Sequence, residues 1–146
     1  MKRDPALISL SHDHHHALVV ARTLTRASED TIAEALAALT SYWVHEGRAH
    51  FRAEEEILFP AYAAHGDPHH PLLAQALCDH VAIRQRVHAL DHAAPSTSLL
   101  AELGELIEMH VRLEERQLFA LIEAALGADE LAAVAEALQR RAAQES

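Results

Sequence analysis

Twice in this sequence a histidine stands four residues ahead of a glutamate, inside the motif His-x-Arg-x-Glu-Glu-x-x-Leu-Phe. The copies run from His50 to Phe59 and from His110 to Phe119. On an α-helix this spacing puts His50 and Glu54, and likewise His110 and Glu114, on one face a single turn apart. An imidazole nitrogen and a carboxylate oxygen held so can share a metal ion. The mixed donor set suits iron, manganese or zinc better than calcium or magnesium, which favour all-oxygen shells. Two such helices face to face would supply a site for a pair of ions.

Two further histidines complete the pattern. His14 follows Asp13 and His80 follows Asp79. The halves therefore match, Asp-His followed by His-x-x-x-Glu, which is an internal duplication with a pseudo-two-fold axis through the site. His14, His50, His80 and His110 would be terminal nitrogen ligands, with Glu54 and Glu114 bridging. About four protein bonds per ion leave room for an oxo or hydroxo bridge and for open positions, where dioxygen, nitric oxide, peroxide or water would bind. The imidazoles must be neutral to bind, so acid is expected to compete with metal below about pH 6.

Four long amphipathic stretches must aim these groups. The first opens at Asp4-Pro5, or at Ser9 or Ser11, and runs to about Ala27, with Leu7, Leu10, His14, Leu18, Ala21 and Leu24 inward. The second, capped by Ser28 or Asp30, carries Leu36, Leu39, Trp43, Gly47, His50 and Glu54 inward. Pro60 should kink it and Gly66-Asp67-Pro68 end it. The third opens at Pro71 and carries Leu73, Leu77, His80, Arg84, Val87 and Leu90 before Pro95. The fourth is capped around Ser96 to Ser98, with Leu99, Leu103, Leu106, His110, Glu114, Leu118 and Leu121 inward, and closes at Gly127. A short fifth begins at Asp129, with Leu131, Val134 and Leu138. Short loops between long helices predict an all-α, antiparallel up-down-up-down four-helix bundle, one domain over 1–146. Each of the four stripes is interrupted by a histidine at mid-length. Unpaired buried polar groups cost roughly 1–3 kcal/mol each, so four of them demand partners, which a metal cluster would supply.

Composition agrees. Four glycines, five prolines and few aromatics in 146 residues favour helix over strand. A formal charge of −10 argues against nucleic acid and anionic membrane as partners. No apolar run approaches the roughly 20 residues that span a bilayer. MKRDPALISLSHDHHH does not read as a signal peptide, and the lone Cys78 suits a reducing cytoplasm. The thirteen histidines are the anomaly that the metal reading explains.

The stretches SHDHHHAL, HFRAEEEILFP, Asp79-His80 and HVRLEERQLF resemble a hemerythrin-like (HHE cation-binding) domain over nearly the whole chain. That resemblance implies a left-twisted four-helix bundle around two iron ions, held by the same four histidines and two glutamates. Oxygen-carrying hemerythrins have a His-x-x-x-His pair on the third helix, whereas His80 has Ala76 and Arg84 as its i±4 neighbours. The four-His, two-Glu pattern is closer to relatives that repair iron–sulfur centres, which carry a further N-terminal cysteine-bearing domain not found in these residues. His15 stands as an alternative to His14 or as a fifth nitrogen. The function expected is binding of dioxygen or nitric oxide for sensing, scavenging or delivery. The alternatives are turnover of peroxide or nitric oxide, iron donation, and a purely structural helical partner.

Neighbouring residues carry weaker expectations. Glu55 and Glu115 turn about 100° further round their helices and are expected to face solvent. Asp13 and Asp79 either accept the second imidazole N–H of a ligand or are surface acids. Arg84 either pairs with a bridging carboxylate or reaches solvent. His12/His16, His88/His92, His65, His69 and His70 read as surface groups, and Cys78 as the flank of the core.

Overall fold

In the computed structural model, which describes residues 2–92 and 94–145, every regular element is helical. Five helices follow one another: α1 is Ile8–Thr25, α2 spans residues 32–65, α3 is Pro71–Leu90, α4 spans residues 97–125 and α5 is Ala128–Glu145. The predicted short fifth helix is therefore as long as α1. Its buried face is Leu131, Val134 and Leu138, and it closes one end of the bundle.

The sequence punctuation works at most ends. Asp4 caps a single tight turn, Pro5–Leu7, ahead of α1 by accepting from the Ala6 N–H at 2.9 Å. Pro71 is the first residue of α3, and the His70 ring accepts from the Leu72 N–H, so His70 is a cap and not a solvated loop residue. Ser96 caps α4 through the Leu99 N–H at 3.1 Å. Neither Ser28 nor Asp30 caps α2. Thr31 precedes the helix instead and its hydroxyl receives the Ser28 N–H.

Both long helices widen where the proposed bridging glutamates stand. Over Glu54–Leu58 and Glu114–Leu118 the backbone bonds reach five residues back, from the Phe59 N–H to Glu54 and from the Phe119 N–H to Glu114. Such turns are rare and are frequently found at functional sites. Pro60 does not cause it, since Ala120 occupies the matching place, and α2 continues past Pro60 to His65. A third wide turn, Trp43–Gly47, has no counterpart in α4.

The buried face of α3 is Leu73, Ala76, His80, Ile83 and Val87, and that of α1 includes Leu10, His14, Ala17, Ala21 and Leu24. Leu77, expected inward, is 40% exposed and Leu99 is 43% exposed, Leu100 being buried in its place. Small residues sit where helices approach closely. A Cβ at Gly104 of α4 would lie 2.6 Å from the Ala21 carbonyl oxygen of α1. The apolar core falls into two clusters. One holds Leu7, Leu58, Tyr62, Phe119 and Ile122 with the α5 residues; the other holds Leu24, Leu39, Ile83, Leu100 and Leu103. Seven buried polar residues divide them, and they belong to α1 through α4.

Candidate metal centre

All six predicted ligands converge in that polar layer. His14, His50, Glu54 and Glu114 bring ligand atoms within 4.8 Å of one another, as do Glu54, His80, His110 and Glu114. The two groups share both glutamates, and each glutamate divides its oxygens between them. Glu54 Oε2 lies 3.3 Å from His50 Nε2, while its Oε1 lies 3.2 Å from His80 Nε2. Glu114 Oε1 lies 2.9 Å from His14 Nε2, while its Oε2 lies 3.4 Å from His110 Nε2. Both carboxylates are fully buried. His15, kept open from sequence, is exposed and takes no part.

The other nitrogen of every ring meets a carboxylate. His50 Nδ1 donates to Asp13 at 3.0 Å, His80 to Glu55 at 2.6 Å, His110 to Asp79 at 3.1 Å and His14 to Glu115 at 2.9 Å. Ionised carboxylates only accept, so Nδ1 carries the hydrogen and a neutral ring turns the Nε2 lone pair inward. Each acid adjoins a proposed ligand on its own helix yet holds the histidine of the next one. The series runs α1 to α2, α2 to α3, α3 to α4 and α4 back to α1. Asp13 and Asp79 thus serve the rings of His50 and His110, not those of the histidines beside them.

Glu55 and Glu115 correct the expectation of solvent. Positions about 100° from the bundle axis point at the neighbouring helix, and there these two find His80 and His14. Arg84 grips Glu55 with two bonds of 2.7 and 2.8 Å, not a bridging carboxylate. Ser11 donates to Glu115 at 2.7 Å. The sequence signal for both acids was the doubled glutamate in each motif copy. Phe51, stacked on His80, and Ser11 had no such signal. Cys78 is exposed.

Electrostatics shows what the arrangement lacks. The four oxygens of Glu54 and Glu114 are buried without a hydrogen-bond partner. The Nε2 atoms face one another in pairs 3.1 Å apart, His14 with His50 and His80 with His110. Two lone pairs so placed repel unless a cation lies among them. Without a metal ion the carboxylates would favour protons on the rings. Burial opposes charge on His14, but Glu114 and Glu115 outweigh it and push its pKa up to about 9. His50, beside Glu54, and His110, beside Glu114, are also raised against burial. The two central carboxyls part company. Burial favours the neutral acid in both, yet His50 and His80 hold Glu54 well below the usual range, while burial and the Glu54 charge push Glu114 up. Orphaned buried oxygens and opposed lone pairs fit a pair of divalent cations.

Paired His/Glu groups across the middle of a helical bundle define a metal-binding helical protein. The model of the hemerythrin HHE cation binding domain matches residues 6–122, and the chain belongs to that family. The match ends within α4, so α5 lies outside it. No curated protein and no solved structure matched the chain. No helix among the described residues is long and apolar enough to cross a membrane.

Proposed function

We propose that the chain is a non-haem di-iron protein that binds dioxygen or nitric oxide at a four-His, two-Glu centre, within an antiparallel four-helix bundle. The observation that carries this reading is the sharing of Glu54 and Glu114 between two histidine pairs, each oxygen aimed at a different pair. His14 and His50 would hold one ion, and His80 and His110 the other. A pair of ferrous ions would supply two electrons to one diatomic molecule. Manganese would also fit the same donors, and zinc would fit them without redox chemistry.

The protein's own contribution is rigidity and dryness. The four Nδ1–carboxylate bonds fix each ring, and the two core clusters wall the centre from water. Beside it lies a small apolar cavity touching His14, His50 and His110, with about 10 Å³ open to the centre of a water-sized molecule. That is room for one small molecule and not for an organic substrate.

Turnover of peroxide or nitric oxide at the same centre is the second reading. Tyr42 lines the same cavity, and burial first, then Asp13 and Glu46, raises its phenol pKa, so it would offer a small molecule there a hydrogen bond and not a proton.

Anaerobic loading of metal-free protein with ferrous iron tests both readings. Two irons per chain and a charge-transfer band that forms with dioxygen and reverses on its removal are expected. Steady consumption of peroxide or nitric oxide selects the enzyme instead. Iron lost readily to an acceptor protein selects donation, and fewer than one iron per chain refutes the centre.

A further inference from the structure

The cavity beside the centre is closed on nearly every side. Eleven of the twelve residues that line it are buried; the exception is Trp43, which is partly exposed. Trp43, Leu39 and Val87 line that cavity on one side and, on the other, a surface groove of about 670 Å³ between α2 and α3. These three side chains stand between the groove and the space next to three of the proposed ligand rings, and Trp43 is the one of them that is partly exposed.

The backbone around Trp43 is specialised for this position. It begins the wide turn Trp43–Gly47, which α4 does not repeat. The ring lies against Gly47 so closely that a Cβ there would meet its Cε3 at 2.7 Å. Its inner edge meets Phe51 at 5.4 Å and 82°, and Phe51 in turn stacks on His80. Sixty residues on, the matching positions are Leu103, fully buried, and Ile107, so the duplicated half is sealed. The indole is partly exposed on the groove side, and rotation about its side-chain bonds would join groove to cavity.

We propose that Trp43 is the gate through which small uncharged molecules such as dioxygen pass from the α2/α3 groove to the buried centre. The role as a ligand gate rests on the reading of that centre as a diatomic-binding one. A gate of this kind changes rates far more than affinity, because the bound molecule would be held by the centre and not by the indole.

Two experiments separate the gate from the reading beneath it. The first needs no metal. Dissolved dioxygen is paramagnetic, and it should broaden the methyl resonances of Val87 and Ile107 in metal-free protein several-fold more in Trp43→Ala than in the parent. Trp43→Phe should fall between, and Ile122, in the other core cluster, should not change. The second uses ferrous-loaded protein in stopped flow. Association and dissociation of dioxygen should both quicken about tenfold in Trp43→Ala with affinity nearly constant. Val134→Ala, which loosens the opposite end, should match the parent. Equal broadening or equal rates in parent and Trp43→Ala overturn the gate, as does equal acceleration by Val134→Ala. A chain that takes no iron sinks the reading of the centre, and the metal-free experiment then decides the gate alone. Should Trp43→Ala fail to fold, Trp43→Phe carries both comparisons.

Discussion

Phe51 lies flat on His80, with ring centroids 3.8 Å apart and planes within 4°. No equal contact supports His14, since the residue matching Phe51 in the second motif is Val111. His14 has Phe119 at 5.3 Å and 26°. His80 also touches Phe59 at 5.9 Å, so it is held on two sides, and the Arg84 guanidinium covers Phe51 at 5.5 Å. The duplicated halves have thus diverged in how firmly they hold their rings.

Truncating Phe51 should consequently cost both stability and metal. Phe51→Ala removes a buried ring from the core and is expected to destabilise the metal-free fold by about 3–5 kcal/mol. It should also weaken the ion shared by His80 and His110 more than its partner. Thermal unfolding of metal-free protein and stepwise iron titration check the two parts. Equal weakening of both ions would contradict the asymmetry.

The carboxylates behind the histidines should rank by burial. Glu55 is 23% exposed and doubly bound by Arg84, whereas Asp13 is 43% exposed. Glu55→Gln should lower iron affinity by about 10–100-fold, the usual cost of losing such a partner. Asp13→Asn should cost less, because water can replace it. Competition with a chelator of known affinity gives both numbers, and a reversed order would count against the ring of carboxylates.

Glu114 is the residue at which stability and function pull apart. Its carboxyl is driven toward the neutral form by burial and by the charge on Glu54. Glu114→Gln keeps the shape and removes that repulsion, so the metal-free protein should melt higher. The same change replaces one of the two oxygens that Glu114 would offer the ions with an amide nitrogen that does not bind metal, and bound iron should fall below two per chain. Calorimetry and metal analysis on one preparation measure both. A lower melting point in the metal-free variant would show that the carboxylate is stabilising as it stands.

Much of this centre could be read before any coordinates. The six proposed ligands were legible because each interrupts an apolar stripe at the same depth. Choices between neighbours were less so. Ala76 and Leu77 both continue the α3 stripe within the tolerance of a 3.6-residue period, and hydropathy favours the leucine. Space decided for alanine, which is fully buried next to His80's turn, while Leu77 points outward. Ala17 displaced Leu18 on α1 in the same way. The wide turns at Glu54 and Glu114 left no trace in a pattern that assumes uniform helix. Glu55 and Glu115 were misplaced because one helix considered alone has only a core side and a water side. Within a bundle there is a third direction, toward the next helix.

The close approach of α1 and α4 gives a test of the scaffold that leaves the ligands untouched. Gly104→Ala would push a methyl to 2.6 Å from the Ala21 carbonyl oxygen and 3.1 Å from Leu24 Cβ. Backbone cannot yield as a side-chain tip does, so α1 must shift away and carry His14 with it. Overpacking of this kind costs about 1–3 kcal/mol.

Proton competition should be visible well above the acid range. His14 has a pKa of about 9 in the metal-free protein against an ordinary value of 6.5. The stabilisation from its proton is complete below pH 6.5 and disappears as pH rises through 9. Asp79 and Glu115, held low against burial by His110 and His14, act in the opposite sense and matter only as pH falls through the carboxylate range. Metal-free protein should therefore unfold more easily at pH 9 than at pH 6.5. Iron or zinc must displace these protons, so the stabilisation that metal confers should grow over the same interval, with protons released on binding. Because the glutamates raise the proton affinity of the rings they face, the onset is expected above the pH 6 of free histidine. Calorimetric titration in two buffers of different ionisation enthalpy counts the protons. Metal binding that releases none between pH 6.5 and 9 would mean that His14 stands outside the coordination shell.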